Sequence, residues 1–211
     1  MNETGETSAM GPQVVVFLHG HGDRPDEYVR SAAQFLPAGA ELVVPAGPVA
    51  VGDGTLAWFA PDPDGGPDPA QLTAALDAVS TIVDSACATF GTTPERVVVG
   101  GFSQGGAVAL AWALRAGSLG RGRTPRVAGV FCVAGWLPDA DGLDLDLAHA
   151  VDTPFLVAHG DDDEMVPLPM GRSVVRVLER SDWSVTFAGG EHGHELAPFA
   201  DALRHWLAAH P

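Results

Sequence analysis

After a polar opening, the chain enters Gln13-Val14-Val15-Val16-Phe17-Leu18, a short run of β-branched and apolar residues. No polar position breaks the valine run, so it predicts a strand covered on both faces, as in a parallel sheet. Similar runs recur at 41–45, 96–100, 127–133, 154–158 and 184–188. Between them lie 26–35, 69–90, 104–116, 170–180 and 196–210, where apolar positions follow the spacing of a helix with one buried stripe. Strands alternating with helices predict an α/β fold with a mostly parallel central sheet flanked by helices. Two stretches rich in turn formers, 45–69 and 117–125, read as loops. Residues 1–12 read as a flexible tail and 13–211 as one domain; no internal repeat is present.

In open parallel sheets, ligands bind beyond the carboxyl ends of the strands. Four predicted strand ends here carry clustered glycines with Ser, Asp or His. They are His19-Gly20-His21-Gly22-Asp23, Gly101-Phe102-Ser103-Gln104-Gly105-Gly106, His159-Gly160-Asp161-Asp162-Asp163 and Gly189-Gly190-Glu191-His192-Gly193-His194. Gly101-x-Ser103-x-Gly105 has the form of a nucleophile elbow, and it lies between Val97-Val98-Val99 and an apolar helical segment. A serine hydroxyl attacks a carbonyl only when a base takes its proton and an acid orients that base. In elbow enzymes the partners follow in the order Ser, acid, His. An acidic run, Asp161 to Glu164, and then His192 and His194 come in that order. Spacing alone does not choose among the three aspartates or between the two histidines.

Composition narrows the chemistry further. Eleven cationic residues against 27 acidic ones set the net charge at −16, and every cation is arginine. Without lysine, Schiff-base chemistry and a P-loop are excluded. An acidic surface repels phosphate backbones and anionic lipids, so neither a nucleic-acid partner nor stable membrane association is expected. The eight histidines lack the helix spacing or cysteine pairing of zinc sites, so no metal is expected. Cys87 and Cys132 sit in apolar surroundings and read as reduced core residues; residues 1–13 lack a signal core. The expected compartment is the cytoplasm.

Five motifs in order carry a resemblance to a known family. They are Leu18-His19-Gly20-x-Gly22, Trp58-Phe59, Gly101-Phe102-Ser103-Gln104-Gly105-Gly106, His159-Gly160-x-x-Asp163-x-x-Val166-Pro167 and Gly193-His194-Glu195. From about Val14 onward the chain resembles the phospholipase/carboxylesterase and acyl-protein thioesterase branch of the α/β-hydrolases. The resemblance implies that Ser103 is the nucleophile, Asp163 the orienting acid and His194 the general base. It also implies an oxyanion hole from the backbone amides of His21 and Gln104, Trp58 along the substrate pocket, and no cofactor. The imidazole of His21 departs from the side chains usual in the family. The expected activity is a serine carboxylesterase cleaving short- to medium-chain esters or thioesters. The alternatives are an acyl-protein thioesterase, a lysophospholipase, or a ligand-binding protein on a hydrolase scaffold. Only twenty residues, 134–153, separate two predicted strands where related folds often insert a lid, so no large lid is expected.

Overall fold

Val14–Leu18 forms a strand, β1, whose five residues are all buried. Val14, Val16 and Leu18 join one apolar core, whereas Val15 and Phe17 join another. Side chains alternate across a strand, so a run with no polar position demands cover on both faces. The structure, a computed structural model, describes residues 11–32, 34–62, 65–115, 126–147 and 153–211. Most of the expected tail therefore lies outside the described residues, although the carbonyl of Pro12 accepts from Thr92 Oγ1 at 2.9 Å. The expected loop at 117–125 lies wholly outside them.

Along the chain follow α1 (Pro25–Ala32), β2 (Glu41–Val43), β3 (Val49–Gly52), β4 (Thr55–Ala57), α2 (Pro69–Phe90), β5 (Val97–Phe102) and α3 (Gln104–Leu114). After them come β6 (Gly129–Val133), β7 (Phe155–Gly160), α4 (Leu168–Arg180), β8 (Val185–Gly190) and α5 (Ala200–Ala209). Six strands form one sheet in the order β2-β1-β5-β6-β7-β8, and every pairing is parallel. Residues from α2, α3 and α4 fill the first core, and residues from α1 and α5 the second. The α/β architecture expected from the sequence is present.

Helix α2 shows how local chemistry sets an element's ends. Asp68 caps it by accepting from the Gln71 amide, and Pro69 occupies the first turn. Gly91 then ends it in the left-handed region at φ 61°. Each residue sits where its backbone preference is lowest in cost.

Two differences from the expected elements matter later. The stretch 45–69, expected to be loop, contains the antiparallel β3–β4 hairpin. Three- and four-residue strands around Gly52, Asp53 and Gly54 are too short to leave an alternating pattern. Between β6 and β7, the described residues 134–147 form turns and a bridge from Leu145 to Arg115, without a helix. Trp136, Leu137, Leu143, Leu145 and Leu147 pack onto the first core, while Asp139, Asp141 and Asp144 are exposed.

The sheet order reverses at β1: the chain moves outward to β2 and then returns to place β5 on β1's other side. Such a reversal opens a crevice at the carboxyl ends of the two strands. Here the crevice is tight, because α3 packs its first turn against β1. A Cβ on Gly105 would stand 2.1 Å from the Leu18 carbonyl oxygen, and one on Gly101 would stand 2.3 Å from that same oxygen. Backbone cannot yield as a flexible side chain does. Gly105→Ala is therefore expected to cost about 1–3 kcal/mol, as overpacked cores do. For a chain of this size that is a fall of roughly 3–10 °C in melting temperature. A thermal melt unchanged from wild type would contradict the close approach.

Candidate active site

Strand β5 ends at Phe102, and α3 begins at Gln104. Ser103 alone makes the turn, at φ 53° and ψ −119°, a conformation strained for any residue with a Cβ. Its amide donates to the Val133 carbonyl at 2.8 Å, and its carbonyl accepts from the Ala107 amide at 3.0 Å. Both backbone groups are thereby held while the hydroxyl projects from the turn.

The Ser103 hydroxyl lies 2.9 Å from His194 Nε2, and His194 Nδ1 lies 2.7 Å from Asp163 Oδ2. A carboxylate only accepts, so Nδ1 carries the ring proton and the Nε2 lone pair faces the serine hydroxyl. Asp163 is buried, and its Oδ1 accepts from the amides of Met165 (2.9 Å) and Val166 (2.8 Å). Three donors thus hold the carboxylate in one orientation. Phe102 packs against the His194 ring, with centroids 4.8 Å apart. The structure therefore brings together the three residues of the expected triad.

The acid and the imidazole reach this position through β7 and β8. Gly160 and Gly190 are register partners, so the following loops leave the sheet side by side. The amide of Asp161 donates to the Gly190 carbonyl at 2.8 Å, and that of Asp162 to the His192 carbonyl at 3.1 Å. Asp161 and Asp162 are exposed; Asp163 turns inward. His192 packs edge-on to Phe199, whereas His194 reaches the serine. The tertiary geometry thus separates groups that spacing alone left equivalent.

Beside the serine, the loop after β1 is locked along its length. The Gly20 amide donates to Asp23 Oδ2 at 2.8 Å, and the Gly22 amide to the Leu56 carbonyl at 2.9 Å. Leu56 in turn donates to the Asp23 carbonyl, so the β3–β4 hairpin is laced to this loop. The backbone amide of His21 lies between two anchored neighbours, and the imidazole is exposed. Tyr28 donates its hydroxyl to Asp23 Oδ2 at 2.5 Å; burial and that carboxylate hold its phenol well above its ordinary pKa, so it remains a donor. Trp58, expected along the substrate pocket, has no exposed surface and donates its indole N–H to the His19 carbonyl at 3.0 Å. Gln104 is buried at the first turn of α3, where helix amides lack intrahelical acceptors.

Three supporting residues were given no role by the sequence. They are Asp23 and His159, present in the strand-end clusters without an assigned part, and Tyr28, which carried no signal. His159 is fully buried, lies 3.6 Å from Asp163 Oδ2, and donates through Nε2 to the Val166 carbonyl at 2.7 Å. That bond ties the end of β7 to the far side of the loop bearing Asp163. Cys132 is buried behind the elbow, where burial pushes its thiol up to about 12, and Cys87 is half-buried; both are free. No helix among the described residues is long and apolar enough to cross a membrane.

Residues 3–205 match the family model described as Phospholipase/Carboxylesterase. The chain belongs to the phospholipase/carboxylesterase family. Among this family's members it is 30% identical over 193 residues to carboxylesterase SOBER1 of Arabidopsis thaliana, covering 84% of this chain and 81% of that protein. It is 28% identical over 224 residues to a probable inactive carboxylesterase of Oryza sativa subsp. japonica, covering 97% and 87% respectively. The crystal structure of the Bacillus cereus carboxylesterase superposes with a TM-score of 0.78 at 18% identity, covering 95% of this chain and 89% of that one. At that identity the likeness establishes the fold alone.

Two outcomes follow from this geometry. His194→Ala and Asp163→Asn should each lower ester turnover by roughly a thousandfold or more, the scale of losing a triad member. His192→Ala, Asp161→Asn and Asp162→Asn should retain most of it, as steady-state kinetics on a chromogenic ester will show. The second outcome concerns His19, whose burial lowers its pKa from 6.5. Below pH 6.5 the unfolded chain binds a proton that the folded chain refuses, so stability falls as pH falls. Melting temperatures between pH 7.5 and pH 5 should therefore decline less steeply in His19→Gln than in wild type.

Proposed function

We propose that the protein is a cofactor-independent serine carboxylesterase working through an acyl-enzyme. The observation that carries this reading is the series Ser103 Oγ, His194 Nε2, His194 Nδ1 and Asp163 Oδ2, with contacts of 2.9 and 2.7 Å, on a serine held in an elbow. Ser103 Oγ attacks the acyl carbonyl carbon while His194 Nε2 takes its proton. The amides of His21 and Gln104 receive the negative charge that develops on the carbonyl oxygen. Asp163 stabilises the imidazolium by charge, without taking its proton. His194 then protonates the leaving alcohol or thiol, and a water activated by the same imidazole releases the acid. Amides already fixed by the fold need no reorganisation as charge appears; losing one such donor costs about 10²–10³ in rate.

The substrates we propose are soluble short- to medium-chain esters or thioesters. Among the described residues between β6 and β7, the leucines pack toward the core while Asp139, Asp141 and Asp144 face solvent, opposite to an apolar lid. An acyl-protein thioesterase or lysophospholipase uses the same chemistry with a different leaving group. Binding without turnover is the rival reading, since a relative 28% identical is named a probable inactive carboxylesterase.

The experiment is a panel of oxygen esters and thioesters of increasing chain length, assayed through the solubility limit. Turnover abolished in Ser103→Ala, a fluorophosphonate adduct on Ser103 alone, and a rate unaffected by chelator are expected. So is a smooth curve across the solubility limit. A sharp rise at the onset of aggregation would replace the substrate reading with a lipase. Absence of both turnover and adduct would leave the binding reading.

A further inference from the structure

The Gln104 carboxamide is buried, and both of its heteroatoms bond to backbone of a distant segment. Its Oε1 accepts from the Trp58 amide at 2.8 Å, and its Nε2 donates to the Phe59 carbonyl at 2.8 Å. From there the Trp58 indole continues to the His19 carbonyl at 3.0 Å. His19 is itself gripped on both ring nitrogens: Nε2 accepts from the Gly47 amide at 2.9 Å, and Nδ1 donates to the Gly20 carbonyl at 2.7 Å. Leu18 and Gly101 are register partners in the sheet. The connections therefore close on themselves, running from Gln104 through Trp58, His19 and Leu18 to Gly101 and back along the elbow to Gln104. Both backbone amides proposed to receive the oxyanion, those of His21 and Gln104, are on this circuit or two residues from it.

We infer that the Gln104 side chain and the Trp58 indole are positioning residues that fix the separation of the two oxyanion donors. The inference rests on the proposed hydrolase reading and extends it to side chains that touch no substrate. Packing alone explains neither group. A methionine would fill the volume of Gln104, and a phenylalanine much of that of Trp58, without any tie to His19. An open chain of hydrogen bonds tolerates drift at its free end; a closed one does not. Displacements near 1 Å at a reacting centre can cost on the order of 10² in rate, so breaking the circuit should act on the chemical step.

The test compares wild type with Gln104→Met, Gln104→Glu, Trp58→Phe and the double variant Gln104→Met/Trp58→Phe. Both Gln104→Met and Trp58→Phe should lower kcat on a chromogenic butyrate ester about 10- to 100-fold with KM nearly unchanged. An alkyl trifluoromethyl ketone, which forms an oxyanionic adduct with the serine, should lose affinity in parallel. The pH midpoint of kcat/KM should stay in place, because the circuit contains neither His194 nor Asp163. Gln104→Glu keeps an acceptor for the Trp58 amide but sets a second acceptor and a buried charge against the Phe59 carbonyl, so it should lose at least as much kcat as Gln104→Met. The double variant should be no worse than about threefold below the weaker single variant, since both break one circuit.

Full kcat in folded Trp58→Phe, multiplicative losses in the double variant, or a lowered melting temperature with kcat and inhibitor affinity intact would each overturn the inference. Should Gln104→Met not fold, Trp58→Phe decides it by the same readouts. A wild-type protein that neither turns over ester nor reacts with fluorophosphonate defeats the hydrolase reading, and this inference with it. Active wild type with unaltered variants defeats the inference alone.

Discussion

The backbone of α3 touches the backbone of β1, and the rest of the site is arranged around that contact. A Cβ at Gly105 would stand 2.1 Å from the Leu18 carbonyl oxygen, so the helix approaches the strand too closely for any side chain there. That approach brings the turn at Ser103 level with the loop that leaves β1. It also obliges the turn to be completed by one residue, which forces Ser103 into its positive-φ conformation. Strain of this kind costs on the order of 1–3 kcal/mol and persists only where the surroundings over-determine it. Here the strand pairing, the bond from the Ser103 amide to Val133 and the first turn of α3 do so.

Two halves meet across this turn. The loops after β1 and β5 supply the anchored backbone around Gly20 to Gly22 and the serine hydroxyl, whereas those after β7 and β8 supply the carboxylate and the imidazole. Each half is internally stitched. Asp23, Tyr28 and the hairpin hold the first, and the bonds from Asp161 and Asp162 to the β8 loop hold the second. Such preorganisation is what allows fixed dipoles to stabilise charge without rearranging. The loops around the serine are thus tied down by hydrogen bonds, while acidic side chains such as Asp161, Asp162 and Glu164 face solvent around it.

Much of this was legible from residues in order. Unbroken apolar runs identify doubly covered strands because no polar side chain could be accommodated on either face. Glycine at 101 and 105 around Ser103 marks an elbow because only the lack of a Cβ permits that turn. The hairpin of β3 and β4 was not legible, since strands of four and three residues are too short for a period to show. Nor were the positions of Asp23, Tyr28 and His159, whose partners lie on other segments or depend on a loop's path.

The sequence by itself determined the alternation of strands and helices, the elbow serine, and a short list of acids and bases downstream of it. These follow from local spacing and from the chemistry of each residue type. The ordered motifs singled out Asp163 and His194 by resemblance; only the tertiary structure showed why, turning Asp163 inward, bringing His194 and not His192 to the serine, and burying Trp58 beneath the β1 loop. Those choices depend on the register of β7 against β8 and on bonds between segments tens of residues apart. No property of Asp161, Asp162 and Asp163 taken alone distinguishes three identical side chains; the direction in which the folded backbone points them does.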